Sequence, residues 1–227
     1  MIDVELNARS YGYNATNYTA EFQRVLCGVF ACYTMMLNDN IELSNDENEI
    51  RNKLLFDYLS NDNIRKNIGL LEYVFDGEVL EPTGGKIDLK VRTSNRFTKS
   101  KAYYVIECKR LDNKNLTGIS GLNAEYINNG IYRFVSKYYS TNCGVNAMLG
   151  FVVEKMDIHT NTLSNISALL KNPKLNNCNT TQEIQQEVFI TDFEFHYSSE
   201  HRDIDNENFT LYHLMFDFSK NIDRNKL

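Results

Sequence analysis

Glu107-Cys108-Lys109 ends the apolar run that begins at Ala102, and nineteen residues before Glu107 stands Asp88, just after Gly84-Gly85. Side chains alternate along a strand, so Glu107 and Lys109 share one face while Ile106 and Cys108 point into the core. Upstream, Ile87, Leu89 and Val91 alternate with Asp88, Lys90 and Arg92. If the two runs pair through the polar stretch 93–100, two carboxylates and an ammonium converge on the rim of one hairpin. Two hard-oxygen ligands suit Mg²⁺, which keeps several waters in near-octahedral geometry. Such an ion lowers the pKa of bound water and neutralises charge on a phosphoryl group and its leaving oxygen. Asp88 and Glu107 would supply carboxylates, the Cys108 carbonyl a third oxygen, and Lys109 would orient the attacking water or take its proton. The chemistry expected is phosphodiester hydrolysis, with Mn²⁺ as a substitute for Mg²⁺.

Charge places a partner on the same stretch. The chain carries a net charge of −6, yet 86–114 holds nine basic residues against three acidic ones. A local basic patch is the footprint of a phosphate-binding face. Lys86, Lys90, Arg96, Lys99 and Arg110 are the expected nucleic-acid contacts. The partner expected is DNA, with RNA left open, acting through a homodimer or with a partner subunit.

Other elements must position these groups. Tyr18–Leu37 reads as an amphipathic helix with Phe22, Leu26, Val29, Phe30 and Tyr33 on one face. Ser44, with Glu47 three residues on, reads as a capping box that starts a helix running to about Leu59. Strand patterns follow at Leu70–Val79, Lys86–Arg92 and Lys101–Leu111. Ile119–Tyr139 is the longest helical pattern, and Gly130 inside it points to close packing on a sheet, because an interior glycine costs about 1 kcal/mol against alanine. Met148–Val153 is nearly all apolar, the mark of a strand buried on both faces. Met156–Leu170 reads as a helix, Lys171–Thr181 as an Asn-rich loop, and Glu187–Tyr197 and Phe209–Phe218 as two closing strands. Strands alternating with long helices give an α/β fold, a mixed β-sheet flanked by helices. With 227 residues, 42% hydrophobic, and no repeat or linker, one domain over 1–227 is expected.

Gly85-x-x-Asp88 followed by Glu107-Cys108-Lys109 on adjacent strands, with a helix before and after, resembles the PD-(D/E)XK nuclease superfamily. Ile87 stands where the family name has proline. The resemblance covers about 45–153 and implies a restriction-endonuclease-like core with N- and C-terminal elaborations. It implies a Mg²⁺-dependent endonuclease, and by analogy a role in bacterial defence against foreign DNA. It also implies a further acidic residue on the first core helix. Glu47 continues that helix's buried face, whereas Glu49 points to solvent with Asn52 and Lys53, so Glu47 joins Asp88, Glu107 and Lys109 as a catalytic candidate. A second register, Asp76 with Asp88-x-Lys90, fits the Asp-x-Lys variant of the motif. The alternative function is a catalytically inactive nucleic-acid-binding or protein-interaction subunit of a defence system.

Other chemistries find less support. His196, His201 and His213 lack zinc-site spacing and are expected to be structural or substrate-contacting. Glu125, Asn129 and Arg133 make a polar stripe on the long helix; turned inward it would meet the scissile phosphate or the lysine, and a solvated face is the favoured reading. Five cysteines without a CxxC pair suggest reduced thiols. The N-terminus lacks a signal-peptide profile, and no apolar run approaches the roughly 18 residues of a membrane span, so a cytoplasmic location is expected.

Overall fold

The computed structural model describes residues 12–82, 84–93, 103–139 and 143–223, with side chains from Tyr18 onward. Its centre is a seven-stranded sheet ordered β1-β2-β3-β4-β7-β6-β5. These strands are β1 (Tyr73–Leu80), β2 (Lys86–Thr93), β3 (Tyr104–Leu111), β4 (Val145–Val152), β5 (Thr180–Gln186), β6 (His196–Arg202) and β7 (Asn208–Asp217). β1, β2 and β3 form an antiparallel meander; β3, β4 and β7 run parallel; β6 and β5 return antiparallel. Every residue of β4 is buried, as its nearly all-apolar sequence requires of a central strand covered on both faces; its one polar side chain, Asn146, accepts the Val105 N–H. The fold is α/β with a mixed sheet flanked by helices.

One face is covered by α1 (Gly12–Asn38) and by α2 (Glu47–Lys53), which continues as a π-helical turn, Leu54–Leu59. Phe22, Leu26 and Val29 of α1 are fully buried, and Phe22 stacks on Tyr104 of β3 at 4.5 Å. The opposite face is covered by the helical segment 122–135 and by the helix over 158–170. The 122–135 segment lies on the crossover between the parallel strands β3 and β4, as such a connection must. A Cβ on Gly130 would come within 2.4 Å of Met148 Cε and 3.5 Å of Lys109 Cγ, so glycine there seats the helix directly on β3 and β4. No helix among the described residues is long and apolar enough to cross a membrane.

Two sequence expectations are corrected. Ser44 is not the cap of α2: Asp46 caps it, its side chain accepting from Glu49 N at 2.9 Å, while Glu49 reaches back to Ser44. Glu187–Tyr197 is not one strand. The chain pairs instead at Thr180–Gln186 and His196–Arg202, and the aromatic run between them is a loop whose Phe193 stacks on Phe30 of α1 at 4.5 Å. β5 is a polar edge strand whose register against β6 shifts twice, so it carries no apolar alternation to read.

Candidate active site

Asp88 and Glu107 meet where β2 and β3 part. The ladder between them runs from Val91↔Tyr104 to Leu89↔Ile106. One residue beyond, the Asp88 carboxylate accepts the Cys108 N–H at 2.8 Å through Oδ2, so a side chain stands where backbone pairing would continue. The neighbouring strand is distorted at the same level. Glu78 of β1 has φ +54°, a left-handed backbone that costs a side-chain-bearing residue energy and marks functional sites more often than chance.

The centre of the cluster is the Lys109 ammonium. Its Nζ lies 2.9 Å from Glu107 Oε1, 2.9 Å from Glu47 Oε1, 2.7 Å from the Cys108 carbonyl oxygen and 4.0 Å from Asp88 Oδ2. Three carboxylates from β2, β3 and α2 therefore surround one cationic group. Glu47 also accepts the Arg110 N–H at 3.1 Å through Oε2, which ties the start of α2 to the end of β3. Glu49 is occupied by the cap and stays away, as the helix spacing predicts. Cys108 is fully buried with its thiol in the core, and burial holds that thiol well above its usual pKa.

Arg51, Arg133, Tyr138 and Tyr139 complete the cluster. Arg51 of α2, 2% exposed, reaches Asp88 Oδ1 at 3.1 Å and Glu78 Oε1 at 2.9 Å, with Asn48 and Asn52 as further acceptors. Arg133 Nη1 donates to Glu107 Oε1 at 2.6 Å, and its guanidinium lies 5.1 Å from the centre of the Tyr138 ring. The Tyr139 hydroxyl donates to Glu107 Oε2. The sequence held signals for the arginines. Arg51 follows Glu47 by one helical turn, and Arg133 ends the polar stripe of the long helix.

Glu107 is the electrostatic pivot. It is fully buried, and burial together with the Asp88 charge pushes its carboxyl up to about 7, against the pull of Lys109, Arg133 and the Tyr139 hydroxyl. Burial alone would lower Lys109; the Glu107, Glu47 and Asp88 carboxylates outweigh it, and the ammonium is held above its ordinary value. The polar groups at this point of the sheet are thus tuned against one another, a pattern that functional sites share with structural ion-pair networks.

Among the described residues, no group of three or more His, Cys, Asp or Glu side chains stands in ready-made metal-ligating geometry. The donor set nonetheless fits a hard divalent cation. Glu47, Asp88, Glu107 and the Cys108 carbonyl offer oxygen only, and they already converge on a cation, the Lys109 ammonium.

The basic stretch is less open than its charge suggests. Lys86 pairs with Glu78 at 2.8 Å, and Arg92 with Asp76 at 2.6 Å. Lys90 pairs with Glu81 at 3.1 Å and sits 3.6 Å from the centre of the Tyr103 ring. Arg110 is held by Asn45. Arg96 and Lys99 lie outside the described residues. The alternative register is not assembled around Lys90, because Asp76 is drawn to Arg92 and Lys90 to Glu81.

The three histidines are embedded in the fold. His213 Nδ1 meets the Tyr126 hydroxyl at 2.9 Å, its Nε2 meets Ser199 Oγ at 2.8 Å, and Ser199 Oγ meets His201 Nε2 at 2.7 Å. Ser199, His201 and His213 are all fully buried, so this chain of polar groups reaches no substrate. His196 is also buried and accepts the Ile190 N–H at 3.2 Å. Compared with family models, curated proteins and solved structures, the chain shows no match.

Proposed function

We propose that this protein is a Mg²⁺-dependent phosphodiesterase that cuts DNA in the cytoplasm, working through Asp88, Glu107, Glu47 and Lys109. The observation that carries the reading is the convergence of three carboxylates and the Cys108 carbonyl on Lys109 Nζ at the end of a central strand. Salt bridges that serve only stability are commonly exposed and contribute little. Here a fully buried carboxylate is kept at the middle of the sheet and its partners come from three separate elements, an expensive arrangement for stability alone.

A divalent cation held by these oxygens would supply an activated water and neutralise the leaving alkoxide. The chain's own residues do the positioning. Tyr139 holds Glu107 Oε2 and leaves Oε1 facing Lys109. Arg51 and the Cys108 N–H fix the two oxygens of Asp88. Were these carboxylates to hold the cation, Lys109 would lose the negative neighbours that keep it protonated and would be left to orient the attacking water or accept its proton. Glu47 reaches over from α2, so the site closes only when α2 is docked on β3.

One observation favours a second reading, a catalytically inactive binding or protein-interaction subunit. Every carboxylate of the cluster already has a basic partner: Glu47 and Glu107 have Lys109, Glu107 also has Arg133, and Asp88 has Arg51. Incubation with supercoiled plasmid separates the two. The nuclease reading expects nicking or cutting with Mg²⁺ or Mn²⁺, none in EDTA, and loss in Lys109→Ala. Intact plasmid with every divalent metal tried would leave the inactive reading in place.

A further inference from the structure

We propose that Arg133 is the residue that receives the substrate phosphate, released to it from Glu107. The inference deepens the nuclease reading and rests on it. Among the described residues, three cations border the carboxylates, and they differ in how far a phosphodiester could reach them. Arg51 is 2% exposed and held by Asp88, Glu78, Asn48 and Asn52. Lys109 is 10% exposed and enclosed by three carboxylates. Arg133, with 29% of its side chain exposed, is the most accessible of the three.

Its contact with Glu107 is one that the proposed chemistry would break. Arg133 Nη1 and Lys109 Nζ share the same oxygen, Glu107 Oε1, at 2.6 and 2.9 Å. An oxygen committed to a metal ion has no capacity left for two further cationic donors. Arg133, the more exposed of the two donors, would then give up its carboxylate but keep its place, because its guanidinium lies against the Tyr138 ring. A planar guanidinium fork matches two phosphate oxygens, whereas an ammonium acts as a point charge.

The fold is built to hold that place. The helix carrying Arg133 contains a π-helical turn, Ile127–Ile131, and inserted turns of this kind are frequent at functional sites. The extra residue and Gly130 seat the helix on Met148 and Lys109, which brings Arg133 over Glu107. Tyr138 is fixed in turn by the glycine turn before Asp88. A Cβ on Gly85 would come within 2.6 Å of the Tyr138 carbonyl oxygen and 2.7 Å of its ring, so only glycine admits this contact. The Gly84-Gly85 turn thus supports the Tyr138 platform as well as opening the strand that carries Asp88.

The test is binding of a labelled DNA duplex in Ca²⁺, which should support binding without cleavage, over a salt series, beside calorimetric Mn²⁺ titration. Removing one phosphate contact lowers the slope of log K against log salt by about one unit. Arg133→Gln should show that loss with Mn²⁺ affinity kept or tightened, since a competitor for Glu107 is gone. Arg133→Lys should restore the slope and only part of the affinity. If Arg133→Gln fails to fold in a melt, Arg133→Lys and Tyr138→Leu carry the test, with weaker DNA binding and normal Mn²⁺ binding expected of both. Unchanged affinity and slope, or weaker DNA binding explained wholly by lost Mn²⁺ binding, would make Arg133 a structural partner of Glu107 and overturn the proposal. A wild-type protein that neither binds DNA in Ca²⁺ nor cuts it in Mg²⁺ sinks the nuclease reading, and this inference with it. A wild-type protein that does both while Arg133→Gln behaves identically sinks the inference alone.

Discussion

Glu107→Gln should make the metal-free protein more stable at pH 8, although it removes a charge that two basic side chains contact. The folded-state carboxyl is raised to about 7 from 4.5, mainly by burial and then by Asp88. A carboxyl raised on folding favours its neutral form. Its contribution is fully present below about pH 4.5 and is lost as pH rises through about 7. Each unit is worth about 1.4 kcal/mol, so ionised Glu107 costs the fold about 3 kcal/mol at pH 8. Glutamine keeps the shape: its amide oxygen can accept from Lys109 while its amide nitrogen donates to the Tyr139 hydroxyl, and Lys109 retains Glu47 and the Cys108 carbonyl. Arg133 is part exposed and can turn to water. In a chain of this length the gain corresponds to roughly 6–12 °C in Tm. Melting of both proteins in EDTA from pH 5 to pH 9 reads it directly, and the gap should close toward acid pH. A variant that melts below wild type at pH 8 would show that Glu107 is a stabilising ion-pair partner, and the reading of a costly, functionally retained carboxylate would be refuted.

Three further outcomes follow from the same geometry. Lys109→Ala should cut cleavage by about 10²–10⁴-fold, the usual contribution of a positioned proton-transfer group, whereas Lys90→Ala, whose ammonium belongs to Glu81, should keep cutting; plasmid assays on the pair settle the register, and the reverse result would restore Asp88-x-Lys90. His201 and His213 are held down to about 4 and about 3 by burial, so their contribution is present above pH 6.5 and is lost as pH falls toward those values, about 2 kcal/mol each by pH 5; urea unfolding in the Glu107→Gln background, which removes the opposing carboxyl, should show it, and a flat profile from pH 6.5 to 5 would contradict it. Arg51→Met leaves Asp88 without its buried partner and should cost about 3–5 kcal/mol in metal-free unfolding, a loss that added Mn²⁺ partly reverses.

What could be read in the sequence is what short-range periodicity carries. β2, β3 and the nearly all-apolar β4 are legible because alternation and unbroken burial are local patterns, and Gly130 declares a close approach by being a glycine inside a helix. The meeting of Asp88, Glu107, Lys109 and Glu47 was readable because two adjacent strands and one helix face fix the directions in which their side chains leave the backbone. Arg51 and Tyr139 were not singled out, and the solvated-face reading favoured for Arg133 gives way to its contact with Glu107, because long side chains reach across to neighbouring elements. The pairing of the basic stretch with Glu78, Glu81 and Asp76 depends on β1 lying beside β2, and charge counting along the chain does not see across strands. The misread strand at Glu187–Tyr197 has a related cause: Phe189, Phe193 and Phe195 are apolar because they pack on or beside α1 as a loop, while the true edge strand is polar.

The most direct measurement is a calorimetric Mn²⁺ titration of wild type, Asp88→Asn and Lys109→Met at pH 8, with melts to confirm that each is folded. The site described here predicts one Mn²⁺ bound per chain in wild type, loss of binding in Asp88→Asn, and tighter binding in Lys109→Met because the ammonium no longer occupies the oxygens of Glu47, Glu107 and Cys108. Folded wild type that binds no Mn²⁺, or Mn²⁺ binding that is indifferent to both substitutions, would contradict it.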